Sequence, residues 1–384
     1  MYTDIFSEEH NLFRKTVNNF VRKEVIPHIL EWEEKGEIPR NIFKRMGDLG
    51  FLGLNYPAPY GGVEADIFTK IVFVEELTKS GCLGFVNSVL VDTDMASHHI
   101  NVFGTAEQKQ KYLEPVIRGE IICAIGVTEP NHGSDVASLS TFAKRCEDYY
   151  LINGSKTFIT NGVKADIIIL AARTDPDQSK KHKGISLFIF ETATPGFKIG
   201  KKLKKMGLRS SDTGELYFED CIVPLNNLLG KENKGFYHIM DGFNLERLIV
   251  AAFCTEAANL ALQEAIKYAG QRVQFNKKLS EFQVIRHRLA EMATEVELTR
   301  NMVYRCATLY EKKIPCLKEI TMLKHYSTRM SQRIIDEALQ IHGGYGYMEE
   351  YLIERLYRDI RLFTIAGGTK EVMLEIISRL VIDS

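Results

Sequence analysis

The hydrophobic period of this chain changes twice, and that restricts its folds more than any single motif. Up to about residue 115, apolar residues fall at helical spacing: Leu12, Phe13, Val17, Phe20 and Val21, then Phe43, Met46, Leu49 and Leu52. A repeat of three to four residues places them on one helix face. Ser7, with Glu9 and His10 behind it, is placed to cap a helix over 6–30. The Pro/Gly-rich stretch 56–62 reads as a loop. Further helices are expected over 68–79, 84–103 and 105–118, the last opening on Thr105-Ala106-Glu107. Short β-type runs then take over, at 121–127, 166–173, 185–191 and 215–221, and 149–159 reads as two strands about an Asn153-Gly154 turn. Nothing of helical length separates them, which predicts an antiparallel sheet rather than a doubly wound one. From Tyr237 the helical period returns and persists through Ile285, Leu289, Met292, Val296 and Val303, then Ile320, Leu323, Met330, Ile334 and Ala338. Long helices with short connections form a bundle. The expected fold is α+β: an N-terminal helical domain (1–119), a middle antiparallel β-domain (120–232) and a C-terminal antiparallel helix bundle (233–384).

A chain of 384 residues buries a sizeable core without covalent staples. Its net charge of −1 gives no electrostatic footprint for nucleic acid or an anionic membrane. The first residues lack a basic segment followed by an apolar block, and the most apolar run, 167–172, is too short to span a bilayer. Seven scattered cysteines, odd in number and without a close pair, read as free thiols in a reducing cytoplasm and not as a zinc site.

Several segments carry chemistry. Gly126-Val127-Thr128-Glu129-Pro130-Asn131-His132-Gly133-Ser134-Asp135 combines hydroxyls with glycines that admit a ligand close to the backbone, and its free N–H groups suit a pyrophosphate. Read alone, it is equally an ordinary turn. Phe158 is either core or an aromatic lid, and Arg272 is either a solvated helix-end charge or a ligand contact. Gln340-Ile341-His342-Gly343-Gly344 ends a helix at a glycine pair. Glu246 lies among Phe243, Leu248, Ile249 and Val250, too apolar a setting for a solvated face. Arg247 beside it need not pair with it, because adjacent helical residues diverge.

Together, the 126–135 segment, Phe158-Ile159-Thr160-Asn161-Gly162, Arg272-Val273-Gln274-Phe275 and Gln340–Tyr347 with Glu350, Arg355 and Asp359 resemble the acyl-CoA dehydrogenase family, in order and over essentially the whole chain. His132 departs from the pattern, which usually has a small residue there. The resemblance implies FAD, an acyl-CoA substrate, electron-transfer flavoprotein as acceptor, and a homotetramer in which the 340–344 segment completes a neighbour's flavin site. Implied flavin contacts are Ile125, Val127, Thr128, Ser134, Phe158, Ile159, Thr160, Arg272, Gln283, Gln340, Gly343, Gly344, Thr369 and Glu371. Implied substrate contacts are Ser134, Tyr237, Asn244, Arg247 and Gly368; the family often has aspartate at the position of Asn244.

In most of the family the base is the glutamate of a Glu-Gly-Thr near the C-terminus. Here that position is Gly367, in Ala366-Gly367-Gly368-Thr369, while Glu246 stands where a branch resembling the long-chain and isovaleryl enzymes carries its base. Glu246 is thus expected to take the α proton, with the Gly367 N–H as an oxyanion donor. An oxidase, a reductase-direction enzyme and a non-catalytic flavin-binding assembly partner remain the alternatives. Asp92 and Asp94 read as an ordinary helix surface, with an acyl-chain contact or a second base as the sharper reading. The lysine-rich runs 180–183 and 201–205 read as solvated loops.

Overall fold

The computed structural model describes residues 5–177 and 182–382. Its N-terminal part is helical: α1 (Glu8–Phe20), α2 (Ile29–Lys35), α3 (Arg40–Asp48), α4 (Ile67–Thr78), α5 (Leu83–Leu90), α6 (Ser97–Phe103), α7 (Ala106–Gln108) and α8 (Glu114–Ile117). The Ser7 hydroxyl accepts the His10 N–H while the Ser7 N–H donates to His10 Nδ1, so the cap satisfies groups that a helix start leaves unpaired. Thr105 caps α7 in the same way, with Gln108 rather than Glu107 as its partner. The helix expected over 6–30 is not one rod, because α1 widens into a π-helical turn at Val21–Val25 before α2.

A second π-helical turn, Val91–Ala96, joins α5 to α6 and contains Asp92 and Asp94, both buried. The surface reading of these acids is therefore wrong. Residues 83–94 are covered on every side, so this stretch has no solvent face, and each acid has an interior polar partner. Lys70 Nζ on α4 lies 2.8 Å from Asp94 Oδ2, and Asp92 accepts the Cys123 N–H at 2.6 Å.

The middle of the chain forms β1 (Cys123–Gly126), β2 (Phe142–Arg145), β3 (Tyr149–Thr160), β4 (Ile167–Arg173), β5 (Ile185–Glu191), β6 (Phe197–Lys202), β7 (Thr213–Pro224) and β8 (Leu228–Leu229). They make one sheet in the order β6-β7-β3-β2-β4-β5-β8, with β1 alongside β4. Pairing is antiparallel except that β1 runs parallel to β4, and β2 meets β4 in parallel at Phe142 and Arg173. The hairpin expected at Asn153-Gly154 is absent: β3 is a single strand with a bulge there. Gly154 serves close packing, since a Cβ on it would come within 2.7 Å of Thr141 Cα. Along β4, Ile167, Ile169 and Ala171 pack with Tyr112, Leu113 and Ile239, while Ile168, Leu170 and Ala172 pack with Tyr150, Phe188 and Phe218. Both faces are buried, which is why this strand reads as one apolar run.

The C-terminal part holds α9 (Gly235–Gln271), a small hairpin of β9 (Val273–Gln274) and β10 (Lys277–Lys278), then α10 (Gln283–Glu311), α11 (Leu317–His342), α12 (Leu352–Ile360) and α13 (Lys370–Ile382). Helix α9 is buried without a break from Leu245 to Ala258, with Glu246, Arg247 and Glu256 enclosed among its apolar residues. One core joins it to the N-terminal helices, with Phe73, Phe85, Leu248, Phe253 and Ile334 among its members. Of the lysine runs, 180–181 lie outside the described residues. Lys201 and Lys202 end β6, exposed, but Lys205 turns inward to the Ser211 and Thr213 hydroxyls at 3.0 Å, so that run is only partly a solvated loop. No described helix is long and apolar enough to cross a membrane, and the seven cysteines are unpaired.

Candidate active site

Glu246 sits about three turns into α9, at 9% exposure. Burial pushes its carboxyl up to about 7, while the positive charges of Arg247 and Lys324 pull the other way. The turn carrying Gly367 closes over it: a Cβ on Gly367 would stand 2.8 Å from Glu246 Oε1. Gly367 and Gly368 also adopt φ of 65° and 93°, where a side chain is strained. With Glu246 in this position, a side chain at 367 would have to displace its carboxylate and take up a left-handed backbone. From α11, Lys324 Nζ donates to the carbonyl of Ala366 at 2.9 Å and to that of Gly368.

On the same helix, Asn244 Oδ1 and Arg247 Nε are buried with no partner within the protein. Buried polar atoms are nearly always paired, so two orphans flanking one carboxylate mark groups arranged for something bound. The Arg247 guanidinium lies 5.2 Å from the Phe243 ring centroid. Tyr237, further toward the start of α9, is 44% exposed, with Lys234 Nζ 5.4 Å from its ring. Gly242 shares a helix face with Glu246, one turn earlier, and it admits the His99 ring: a Cβ there would be 2.9 Å from Nε2. His99 Nδ1 faces the Met95 carbonyl at 2.6 Å, and burial lowers this imidazole to about 4, so it is neutral and carries its proton on Nδ1. Its Nε2 is unpaired. Asp92, with one oxygen unpaired, is pushed up to about 8 by burial.

The loop after β1 is pinned from below. Glu129 accepts from Lys156 Nζ at 2.8 Å, from the Ser140 N–H and hydroxyl at 2.6 Å each, and from the Thr141 N–H at 2.8 Å. Lys156 also donates to the Val127 carbonyl at 3.0 Å. The pair is buried; its contacts hold Glu129 down to about 2, while desolvation lowers Lys156 to about 8, and both are charged at neutral pH. The Thr157 N–H bonds the Thr128 carbonyl at 2.9 Å, bringing Thr128 beside Phe158. A register shift between Lys156 and Ile159 leaves Phe158 at φ 59° and 68% exposed, so it is not core. A bulge that turns an aromatic outward beside such a loop is a feature of binding sites. Ile125, Val127, Thr128 and Thr160 are half-buried, Ile159 is buried, and Ser134 is exposed. Beside Gly133, Gly343 and Gly344 an added Cβ would meet nothing within 4 Å, which leaves a ligand room at the backbone. The loop and these glycines therefore fit a flavin dinucleotide.

The other residues expected to meet a cofactor lie elsewhere. Arg272 ends α9 and stands 5.5 Å from the Tyr345 ring, and the Tyr268 and His342 rings stack at 4.4 Å. This draws Gln340, Gly343 and Gly344 to the end of α9, and Gln283 opens α10 after the β9–β10 hairpin. From Glu246 to that end is roughly 38 Å at about 1.5 Å per residue, too far for both to meet one ligand ring. Thr369 and Glu371 line a cleft of about 820 Å³ with Arg329, Arg333 and Arg361.

Sequence reasoning passed over Lys324, Lys156 and the role of Glu129. The one signal was a lysine within an apolar helix stripe, at Leu323-Lys324, which marks a charge facing inward.

Three family models match the chain in order: acyl-CoA dehydrogenase N-terminal domain over residues 7–120, middle domain over 124–221 and C-terminal domain over 233–382. The chain is 40% identical over 378 residues to the long-chain specific acyl-CoA dehydrogenase, mitochondrial, of Mus musculus, covering 98% of this chain and 87% of the relative. It is 40% identical over 380 residues to the caffeyl-CoA reductase-Etf complex subunit CarC of Acetobacterium woodii, covering 98% and 99%. Among solved structures, an acyl-CoA dehydrogenase from Geobacillus kaustophilus superposes with a TM-score of 0.95 at 45% identity, covering 98% of each chain.

Proposed function

This chain belongs to the acyl-CoA dehydrogenase family, and from that premise we propose that it removes hydrogen from the α and β carbons of an acyl-CoA with Glu246 as the base. The observation that carries the reading is the fit of Glu246 into the space that Gly367 leaves open. A buried carboxylate raised to about 7 is matched to proton abstraction near neutral pH. The α proton passes to Glu246, and the C–H electron pair becomes an enolate on the thioester oxygen. The Gly367 N–H stabilises that oxygen. FAD, when bound, would supply the acceptor for the β hydrogen and its electron pair, leaving the α,β double bond in the thioester. Thr128, Ser134 and Phe158 would hold FAD from one subunit, with Arg272, Gln340 and Gly343 supplied by another, because the length of α9 separates Arg272 from Glu246 within one chain. A homotetramer meets this need. Electrons then pass to an electron-transfer flavoprotein, and the unpaired cysteines suit a reducing cytoplasm.

A second reading is the reverse reaction, with Glu246 returning the α proton. It is favoured by the relative named a caffeyl-CoA reductase subunit and by one named 3-(aryl)acrylate reductase, 39% identical over 374 residues. Anaerobic flavin bleaching across straight, branched and aryl-substituted acyl-CoAs, with reoxidation by the matching enoyl-CoAs, tests both. No bleaching with any thioester by the wild type, or full bleaching by E246Q, would overturn the proposed base.

A further inference from the structure

Lys324 is almost wholly buried, at 1% exposure, a rare state for lysine. It projects from α11 and donates to the two carbonyls that bracket Gly367, those of Ala366 and Gly368. A trans peptide points its C=O and N–H in opposite directions, so an Ala366 carbonyl held toward Lys324 turns the Gly367 N–H away from it. The same logic orients the Thr369 N–H. Glu246 Oε1 and Lys324 Cε lie 2.8 Å and 4.0 Å from the place a Cβ on Gly367 would take, so both side chains meet at this turn; Arg247 and Cys254 on α9 and His325 on α11 are the other titratable groups that interact with Lys324. Burial pushes the Cys254 thiol up to about 12, which leaves Glu246 as the one anion of the group.

Deepening the base assignment above, and resting on it, we propose that Lys324 is a positioning residue with two effects: it aims the Gly367 N–H at the thioester oxygen, and its charge sets the proton affinity of Glu246. One side chain thereby links the oxyanion donor to the base. Lysine's three donors can hold two carbonyls and still present a charge to a third group. Lys324 is itself lowered to about 8 by burial, so it carries that charge at neutral pH.

The test compares K324Q, K324M and K324R in the flavin-loaded enzyme, reading the pH dependence of kcat/KM and of kcat. Without the positive charge, Glu246 holds its proton to higher pH, so the acid limb moves upward by about one pH unit in K324Q and K324M. K324R keeps the limb within a few tenths of the wild-type position. K324M also loses donors to the carbonyls, and its pH-independent kcat falls by about tenfold or more beyond K324Q. A purely structural staple would lower the melting temperature and leave the limb where it was; that result in either K324Q or K324M overturns the proposal. E246Q separates the two levels. Retained activity in E246Q sinks the base assignment, whereas an inactive E246Q beside an unmoved limb in K324Q sinks only the role of Lys324.

Discussion

Lys70 Nζ lies 2.8 Å from Asp94 Oδ2, both side chains buried, and the Thr93 hydroxyl donates to the same carboxylate at 2.7 Å. Breaking such a pair strands a charge away from water. K70M or D94A is expected to cost about 3–5 kcal/mol, and K70M/D94L together much less, read by urea denaturation. The His98-His99 segment next to this network packs on the start of α9, so D94A is also expected to change the order of preferred acyl chains. An unchanged substrate profile in a folded D94A would confine the pair to a structural role.

Replacing Glu246 by Gln removes the proposed base without changing its size. Turnover is expected to fall by about 10² to 10⁴-fold. In the wild type, activity rises as Glu246 deprotonates, so a steady-state profile should show an acid limb near pH 7.

The same substitution should stabilise the fold at higher pH. With the folded pKa raised from 4.5 to about 7, the charged form is disfavoured in the native state. The cost is nil well below pH 4.5 and complete above about pH 7. E246Q should therefore gain up to roughly 3 kcal/mol over the wild type at pH 8 and little at pH 4, by denaturant titration at both.

Gly367→Ala combines a 2.8 Å approach to Glu246 with a left-handed backbone. A loss of about 1–2 kcal/mol and a larger fall in kcat than in substrate affinity are expected, measured by thermal melts and steady-state kinetics.

The separation along α9 predicts complementation between subunits. E246Q and R272A, each inactive alone, should regain activity when unfolded and reassembled together, because a mixed assembly pairs an intact Glu246 with an intact Arg272. Recovery no greater than the sum of the separate proteins would show that each chain builds its own site.

The helical, β and helical order was legible because each period reports one buried face, whereas the nearness of Glu246 to Gly367 came only through the family resemblance, which names both positions. Other features were hidden for physical reasons. Asn153-Gly154 looks like a hairpin turn, yet the glycine is there for its missing Cβ against Thr141. Asp92 and Asp94 have the composition of a surface, and only a π-helical turn covered on all sides makes them interior. Lys156 and Glu129 hold their loop through backbone carbonyls and amides, which carry no residue identity to read.

The closeness of Gly367 to Glu246 also limits how such a chain can change over time. A second carboxylate arriving from the C-terminal turn would meet Glu246 Oε1 at close range, and two like charges so placed would have to share a proton. With Glu246 as the proposed base, positions 246 and 367 are expected to change together. A lineage that changes one before the other passes through a protein with no base or through one with two in conflict.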